Sequence, residues 1–306
     1  MSHGLLHKAG LLGWALLAST LAGCGSGASG GDAGPAGGVA DGAVPTNVCP
    51  DDGGIAPMTC TCNPALASVT DLSGAWVLRT TGAQTVEAPF YTNPFHLKSI
   101  DVILVQVAQT GNDVVLSGQY CDRIQQDDPK NPAPVIVRDA WRLTATQVQR
   151  SGTFAPDDSG EWVLALPTFV EVAGANLVDP ATDTLPVDPN DPRLFDSDGD
   201  GLSGISIGLG GLMPGVLQAV QRQTTSLRGL PVAADRVEGG MAYKSEQSVV
   251  ASDPANLKTL YESSTAFSDP TPCSSTFVMV RLPDSVAATG VDCDWVRSNE
   301  TTLLGP

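Results

Sequence analysis

Basic residues are few in this sequence, which has 16 Lys and Arg against 33 Asp and Glu and a formal net charge of −17 at pH 7. So acidic a chain repels phosphate backbones and anionic lipid headgroups, and we expect no nucleic-acid partner. Histidine is scarcer still, since only His96 lies beyond residue 7. With one such histidine and no Cys-x2-Cys pair, the usual ligand set of a zinc site is lacking as well.

The apolar run near the N-terminus is too short to cross a membrane as a helix. It covers residues 9–22, which is 14 residues, whereas a spanning helix needs about 20. It follows a weakly basic start that contains His3, His7 and Lys8. A short apolar run after a basic start, followed by small residues, is typical of a secretory signal that is later removed.

The same segment ends in Leu21-Ala22-Gly23-Cys24, which resembles the lipobox of bacterial lipoproteins. The resemblance implies that residues 1–23 are a signal peptide and that Cys24 becomes the lipidated N-terminus of an exported protein. Several acyl chains then anchor it to the membrane, since one chain alone binds only marginally. In lipoproteins of two-membrane bacteria, a residue other than Asp after the cysteine, here Gly25, is associated with the outer membrane. An ordinary signal peptide with a free Cys24 is the alternative.

Composition divides the rest of the chain into three parts. Residues 24–47 are mostly Gly, Ala, Ser, Asp and Pro, which bury too little surface to offset the entropy of ordering, so we expect a flexible tether. Residues 48–64 form a Cys- and Pro-rich lead-in. Residues 65–300 are expected to form a single β-rich domain that contains an acidic, Pro-rich loop at 178–201.

Alternating apolar residues predict strands over most of that domain. The clearest case is a hairpin with strands at 99–109 and 114–121, joined by turn residues at 110–113. Trp141, Leu143 and Ala145 alternate with polar residues and predict a further strand. Trp162, Leu164 and Leu166 predict another, which Pro167 should end. The remaining predicted strands are 204–209, 216–227, 237–250 and 276–282.

One short helix is predicted at 254–261, with Asp253 as its N-cap and Pro254 in its first turn. Many strands of similar length joined by turns favour a mainly β fold, either an antiparallel β-barrel or a sandwich.

Gly74-Ala75-Trp76, within the stretch at 71–79 that is predicted to open the β-rich region, resembles the G-x-W signature of the lipocalin/calycin superfamily. The resemblance covers only these few residues. It implies that Trp76 lies at the closed end of an up-and-down barrel, covered by an arginine from a late strand, for which Arg281 is the candidate. The alternative is that Trp76 is a plain core aromatic residue. A calycin-like shape by itself implies no particular ligand.

Beyond Cys24 the chain has six cysteines, and an even number in an exported protein predicts disulfides whose pairing the sequence alone cannot choose. Cys60 and Cys62 are too close to pair comfortably with each other. One candidate pair, Cys273 with Cys293, would close a loop of about 20 residues, worth on the order of 3 kcal/mol in the chain-entropy picture. The six candidates are Cys49, Cys60, Cys62, Cys121, Cys273 and Cys293.

An acidic motif in the predicted loop suggests a metal site. In Asp196-Ser-Asp198-Gly-Asp200-Gly201, three carboxylates alternate before a glycine, as a hard cation such as calcium requires. Asp188 or Asp191 is a candidate to complete the shell. Ile207 stands where an EF-hand has its bidentate Glu, so the motif more closely resembles the D-x-D-x-D-G calcium loops of bacterial surface proteins. The alternative is a solvated acidic turn. The candidate ligands are the carboxylates of Asp196, Asp198 and Asp200 and the backbone carbonyl of Leu202.

No catalytic residue is predicted. Gly204-Ile-Ser206-Ile-Gly208 has the pattern of a nucleophile elbow, but that motif needs a following helix and a later histidine, and His96 lies upstream. The sequence therefore favours a non-catalytic β module that binds an unknown small molecule or protein partner. A hydrolase that acts on surface polymers through loop carboxylates is the alternative, and a purely structural envelope role is a third. A hollow interior would favour the first hypothesis, and two buried carboxyls about 5–10 Å apart in a cleft the second.

Overall fold

The computed structural model describes residues 69–88, 91, 93–143, 146–262, 264–271, 273–288 and 290–305. The predicted signal peptide, the lipidated Cys24, the tether and the lead-in lie outside the described residues, and so do Cys49, Cys60 and Cys62. In the described part of the chain, no helix has both the length and the apolar character needed to span a bilayer.

The described residues form mainly β structure, with eleven strands and four short helices. The strands are β1 (Gly74–Glu87), β2 (Phe95–Thr110), β3 (Asp113–Asp127), β4 (Val135–Val137), β5 (Gln147–Pro156), β6 (Trp162–Ala173), β7 (Ile205–Leu209), β8 (Gly215–Ala233), β9 (Arg236–Asp253), β10 (Thr265–Ser268) and β11 (Thr276–Arg281). The helices are α1 (Asp139–Arg142), α2 (Asn256–Glu262), α3 (Asp284–Ala287) and α4 (Cys293–Leu304).

Eight of the strands pair in a closed antiparallel ring, in the order β1-β2-β3-β5-β6-β8-β9-β11. Each strand pairs with the next of the eight along the chain, and β11 returns to pair with β1. A meander that closes on itself has the connectivity of an up-and-down barrel. The predicted mainly β, antiparallel fold is confirmed, and the ring of pairings is consistent with its barrel form.

Three short strands lengthen the wall at one end of this ring. β7 pairs with residues 215–219 of β8, next to the stretch that pairs with β6, and β4 pairs in turn with β7. On the other side, β10 pairs with residues 84–87 of β1, beyond the stretch that pairs with β11. The lengthened end is the end that contains Val86 and Phe95.

The interior of the ring is solid at the opposite end. Large side chains from β1, β2, β5, β6 and β11 meet there, and several have almost no exposed surface. The largest of them are Trp76, Phe154, Phe277, Leu78, Leu164 and Met279. Burial of such side chains contributes about 1.5–3 kcal/mol each, so this filled end is the main source of hydrophobic stabilisation.

The predicted hairpin at 99–121 is confirmed, and its strands are longer than expected. Thr110 pairs directly with Asp113, and Gly111 takes a φ of 61° in the two-residue turn. This left-handed conformation is one that glycine adopts without steric cost. β2 extends back to Phe95 and β3 extends on to Asp127.

Two strand predictions are wrong in detail. The alternation at Trp141 and Leu143 does not form a strand, because residues 139–142 form the single helical turn α1 and Leu143 is exposed. Pro167 does not end β6, which continues to Ala173. The pairing with β8 shifts between Leu166 and Phe169, so Pro167 lies in a bulge where it need not donate to the ladder.

The predicted helix at 254–261 is confirmed as α2, but it begins later, at Asn256. Asp253, the predicted N-cap, is instead the last residue of β9. The hydroxyl of Ser252 accepts a hydrogen bond from the Lys258 amide at 2.9 Å and so contacts the first turn.

Helix α4 was not predicted, and it covers the outer face of the ring. It begins after Asp292, whose side chain accepts a hydrogen bond from the Trp295 amide at 2.9 Å. Val296 and Leu304 of α4 pack against the outward side chains of β1, β2 and β11. This second layer explains why the outward side chains Val102 and Leu104 of β2 are apolar.

The described disulfide joins α4 to the ring and differs from the candidate pair. Cys121 of β3 is bonded to Cys293, 172 residues later, so the pairing of Cys293 with Cys273 is wrong. Cys273 is also disulfide-bonded. Because α4 lies over β3, Cys293 comes close to Cys121. The two are far apart in sequence, so this pairing could not be predicted from their spacing.

Candidate functional site

Trp76 and Arg281, the two residues singled out by the G-x-W motif, lie together at the filled end of the ring. Trp76 is fully buried, and its Nε1 donates to the Leu72 carbonyl at 2.7 Å. The guanidinium carbon of Arg281 lies 4.8 Å from the centre of the Trp76 ring system. Arg281 also donates to the carbonyls of Ser73 at 2.9 Å and Asp71 at 2.7 Å, so it ties the segment before β1 over the tryptophan.

The lengthened end holds a cavity of about 790 Å³. This volume lies within the usual range for small-molecule sites, about 300–1,000 Å³. Along β2 the inward side chains change from apolar to polar where the core ends, since Ile103 belongs to the core whereas Asp101 and Ser99 line the cavity. Further out, Leu97 and Phe95 make the wall apolar again.

The inner end of the cavity, which we call the floor, is built by four polar side chains: Asp101, Tyr120, Arg123 and Glu171. The Tyr120 hydroxyl donates a hydrogen bond to Glu171. The guanidinium carbon of Arg123 lies 4.1 Å from the centre of the Tyr120 ring and 4.2 Å from that of Trp141, so the cation contacts two aromatic rings. One Nη atom lies 3.9 Å from Glu171 and the other donates to the Trp141 carbonyl at 3.4 Å.

Two β-bulges bring the floor residues to the inside. On β3, Ile103 pairs with Tyr120 but Val102 pairs with Asp122, so Cys121 is an extra residue and Arg123 faces inward with Tyr120. On β6, the bulge at Pro167 has the same effect on Glu171. Without these bulges, strict alternation would place Arg123 and Glu171 on the outside of the ring.

Burial determines the charge state of the floor. Asp101 is half-buried and lines the cavity, and desolvation by the surrounding protein raises its pKa to about 7. Arg123 opposes that rise and Glu171 adds to it. Burial and the Glu171 carboxylate together hold the pKa of Tyr120 well above its usual value. The phenol is therefore a hydrogen-bond donor at physiological pH.

Arg150 lies directly beneath the floor, and its contacts are all with other parts of the protein, which indicates a structural role. It donates to the Thr225 hydroxyl at 3.2 Å and to the Pro167 carbonyl at 3.3 Å, and its guanidinium carbon lies 5.1 Å from the centre of the Phe169 ring. Burial lowers its pKa to about 10, which leaves it charged at neutral pH.

The acidic loop at 178–201 forms part of the outer wall. Among its described residues no named strand occurs, as predicted. Arg222 of β8 donates to the Asp183 carbonyl at 2.8 Å and to Glu246 of β9 at 2.7 Å, so it ties the loop to the ring. Thr182 and Leu185 of the loop line the cavity.

The three predicted metal-ligating aspartates lie together. One carboxylate oxygen from each of Asp196, Asp198 and Asp200 falls within 4.8 Å of the others. Asp196 accepts hydrogen bonds from the amides of Gly199 at 2.7 Å and Gly201 at 2.8 Å, which lower its pKa. These bonds hold the loop in a turn that directs the other two carboxylates toward Asp196.

Asp198 is the buried member of this cluster, only 8% exposed. Its Oδ2 accepts a hydrogen bond from the Ser206 amide at 2.8 Å, while its buried Oδ1 has no hydrogen-bond partner among the described residues. Burial raises its pKa, and the neighbouring Asp200 and Asp196 carboxylates add to the rise. Asp200 is offset by Arg138, whose Nη1 lies 3.6 Å away. A cation is therefore the natural partner for the oxygen that lacks one.

The upstream aspartates do not join the cluster. Asp191 instead forms a bidentate pair with Arg193, at 3.0 and 2.7 Å, which lowers the Asp191 pKa to about 2. Asp188 accepts a hydrogen bond from the Asn190 amide at 2.9 Å. The Leu202 amide donates to Asp200 at 3.0 Å, and ligation by the Leu202 carbonyl stays a prediction.

Ser206 lies on β7, as a strand residue rather than a nucleophile elbow, and its side chain is buried against the cavity. None of the floor residues was singled out from the sequence. The one available signal was Asp101, a charge at an inward position of an otherwise apolar strand.

No protein-family model matches this chain, and comparisons with curated proteins and with solved structures gave no match either.

Proposed function

We propose that this protein is a ligand-binding β module that holds a small organic molecule in the cavity of its strand ring. The observation that carries the proposal is the cavity of about 790 Å³ between the filled core and the lengthened wall. A site that combines apolar walls with a few convergent polar groups is typical of small-molecule binding. The stacking of Arg281 on Trp76 supports a calycin-like barrel as its framework.

The proposal includes the location inferred from the sequence. Lipidation of Cys24 would anchor the module to a membrane, the outer one in a two-membrane bacterium, with residues 24–47 as a tether. The Leu21-Ala22-Gly23-Cys24 motif supports this placement.

A hydrolase is the second candidate, and the floor carboxyls favour it most. Asp101, with a pKa of about 7, has the property of a general acid beside a second carboxyl, Glu171. Both residues lie on strands rather than on the loops where the sequence places candidate carboxylates. A polymer needs an open groove, whereas these groups lie at the inner end of a cavity that abuts Ile103 and the core. Ligand binding is therefore the better-supported function.

A structural calcium ion in the loop at 196–201 is also part of the proposal. The buried Asp198 Oδ1 without a hydrogen-bond partner supports it. The ion would hold the loop that precedes β7, a strand of the cavity wall.

The ligand-binding proposal is tested with Nile red, a neutral dye whose emission shifts to the blue in apolar surroundings. We expect saturable, one-site binding to the protein. Ser245→Phe adds a ring at a position that lines the cavity and should weaken binding at least tenfold. Ser151→Phe makes the same change at an exposed position of β5 and should leave binding unchanged. Absence of saturable binding, or equal effects of the two variants, would contradict the proposal.

A further inference from the structure

The charged side chains that line the cavity are mostly acidic. Within the described residues they comprise five carboxylates and two guanidinium groups. Lys244 and Lys258, which are not part of the lining, pair with Glu246 and Glu262, so the excess of negative charge in the cavity comes from the other lining carboxylates. Low-dielectric walls focus the field of such groups into a cavity. The groups are Asp101, Glu171, Asp183, Glu246 and Glu262, with Arg123 and Arg222.

Both arginines are already engaged by the protein. Arg222 is 8% exposed and pairs with Glu246 at 2.7 Å, while its Nη1 donates to the carbonyls of Pro180 and Asp183. Arg123 is 6% exposed, lies over the rings of Tyr120 and Trp141, and has one Nη atom 3.9 Å from Glu171. An anionic ligand would compete with Glu171 for Arg123 and with Glu246 for Arg222.

Asp101 is the floor carboxylate without such a partner. Arg123 is its direct neighbour across the β2–β3 ladder, yet the guanidinium of Arg123 is turned toward Trp141 and Glu171. Among the described residues, no cation lies within 4.0 Å of the Asp101 carboxylate and no hydrogen bond reaches it. A buried carboxylate in this state is costly unless a cation or donor pairs with it.

Protein atoms surround the Asp101 carboxylate on the core side, so a ligand would approach it from the cavity. Ile103 and the core lie beneath it, with Thr80 and Tyr120 beside it. Arg150 is also nearby, but its guanidinium is bound to Thr225 and Pro167. Above the floor, the cavity wall offers hydrogen-bonding groups near Ser99 and then apolar surface at Leu97 and Phe95.

We propose that the cavity binds an organic cation, an ammonium group carried on an apolar or aromatic body, with the ammonium against the Asp101 carboxylate and the body against the apolar wall. This inference rests on the proposed ligand-binding function and names its ligand class. The ammonium group pairs with the floor carboxylate that has no cation within 4.0 Å among the described residues, and the apolar body is buried without loss of any existing ion pair.

Three probes with the same alkyl chain and different head groups test the inference: n-octylamine, 1-octanol and octanoate, each in displacement of Nile red at pH 8. At that pH Asp101 is ionised, since its pKa is about 7, and an alkylamine keeps its proton. We expect octylammonium to bind at least tenfold more tightly than octanol, and octanoate to bind most weakly. Asp101→Asn should remove the tenfold preference for octylammonium over octanol. Asp113→Asn, at the exposed β2–β3 turn, should change none of the three.

The outcomes separate this inference from the proposal beneath it. If neither Nile red nor any probe binds, the ligand-binding function fails. If Nile red binds but octylammonium has no advantage over octanol in the wild-type protein, the inference alone is overturned. A preference for octanoate would also overturn it and assign Arg123 as the ligand contact.

Discussion

Asp101 and Asp198 are both carboxylates whose pKa is raised by burial, but the structure buries them in different ways. Asp101 is held between a packed core and a cavity, where few dipoles compensate its charge. Asp198 is held by a tight turn, where two other carboxylates add to the cost of ionisation. The first arrangement favours a ligand that enters a cavity, and the second favours a small, hard cation.

The pKa of Asp101 leads to a prediction about stability. Its folded-state pKa of about 7 lies above the unfolded value of about 3.9, so the folded protein holds a proton that the unfolded chain lacks between about pH 4 and pH 7. The contribution of Asp101 to the free energy of unfolding is therefore largest below that range and is lost as the pH rises to 7. Asp101→Asn should be more stable than wild type at pH 8, by on the order of 1–3 kcal/mol after allowance for water in the cavity.

Urea denaturation at pH 5 and pH 8 measures this difference. We expect the gain of Asp101→Asn to shrink at pH 5, and the exposed control Asp113→Asn to show no such trend. Equal destabilisation of Asp101→Asn at both pH values would show that the carboxylate has a structural role instead.

At the scale of single elements, an irregularity in a strand and a loop between strands decide where functional side chains lie. The bulge at Cys121 turns Arg123 inward, whereas Cys121 itself lies on the outer face and bonds to Cys293 of α4. The floor of the cavity and the attachment of the helix therefore lie at the same point of β3. The loop at 196–201 is likewise bound to a strand of the cavity wall, because the Asp198 carboxylate accepts a hydrogen bond from the Ser206 amide of β7.

Calcium should stabilise the folded protein through this loop. An ion that binds only the folded state adds about 1.4 kcal/mol to the free energy of unfolding at tenfold excess over its Kd. Thermal unfolding with EDTA and with several millimolar CaCl₂ should therefore show a higher Tm in calcium, and Mg²⁺ should substitute poorly because it demands tight octahedral geometry. Asp198→Asn should abolish the gain.

Asp188→Asn is the matched control for this experiment, because Asp188 lies in the same acidic loop but outside the cluster. It should keep the calcium-dependent rise in Tm. An unchanged Tm in the wild-type protein would identify the loop as a solvated turn.

At the scale of the whole molecule, the ring encloses a cavity and has a helix bonded to its outer face. Its interior has a filled end and a cavity, and its outer face is covered by α4 and linked to it by the Cys121–Cys293 disulfide. The formal charge of −17 gives the surface no attraction for anionic headgroups. Membrane attachment, if it follows the lipobox, therefore depends on the acyl chains.

The prediction at this scale concerns Cys24. Replacement of Cys24 by Ser should leave an unprocessed precursor that incorporates no labelled palmitate. Cys49→Ser, which removes a cysteine outside the lipobox, should still be labelled and processed. Equal labelling of wild type and the Cys24 variant would rule out lipidation at this residue.

Local features were determined by the sequence alone. The turn between β2 and β3 was predictable because Gly111 and its polar neighbours favour a left-handed turn, whatever the rest of the chain does. The clustering of Asp196, Asp198 and Asp200 was predictable because the three are near in sequence and glycines close the loop. Most other strand positions also followed, since alternation of apolar residues is a property of each segment by itself. β4, β5 and β10 were not predicted.

The tertiary structure alone decided the cavity and its floor. Arg123 and Glu171 face inward because bulges shift the alternation of β3 and β6, and a bulge is defined by pairing with a distant strand. Trp141 looked like part of a strand because three alternating positions do not distinguish a strand from one helical turn that packs on Arg123. Helix α4 and the partner of Cys293 could not be predicted from the sequence either. Each depends on contacts between residues far apart in sequence, and these contacts form only when the ring closes.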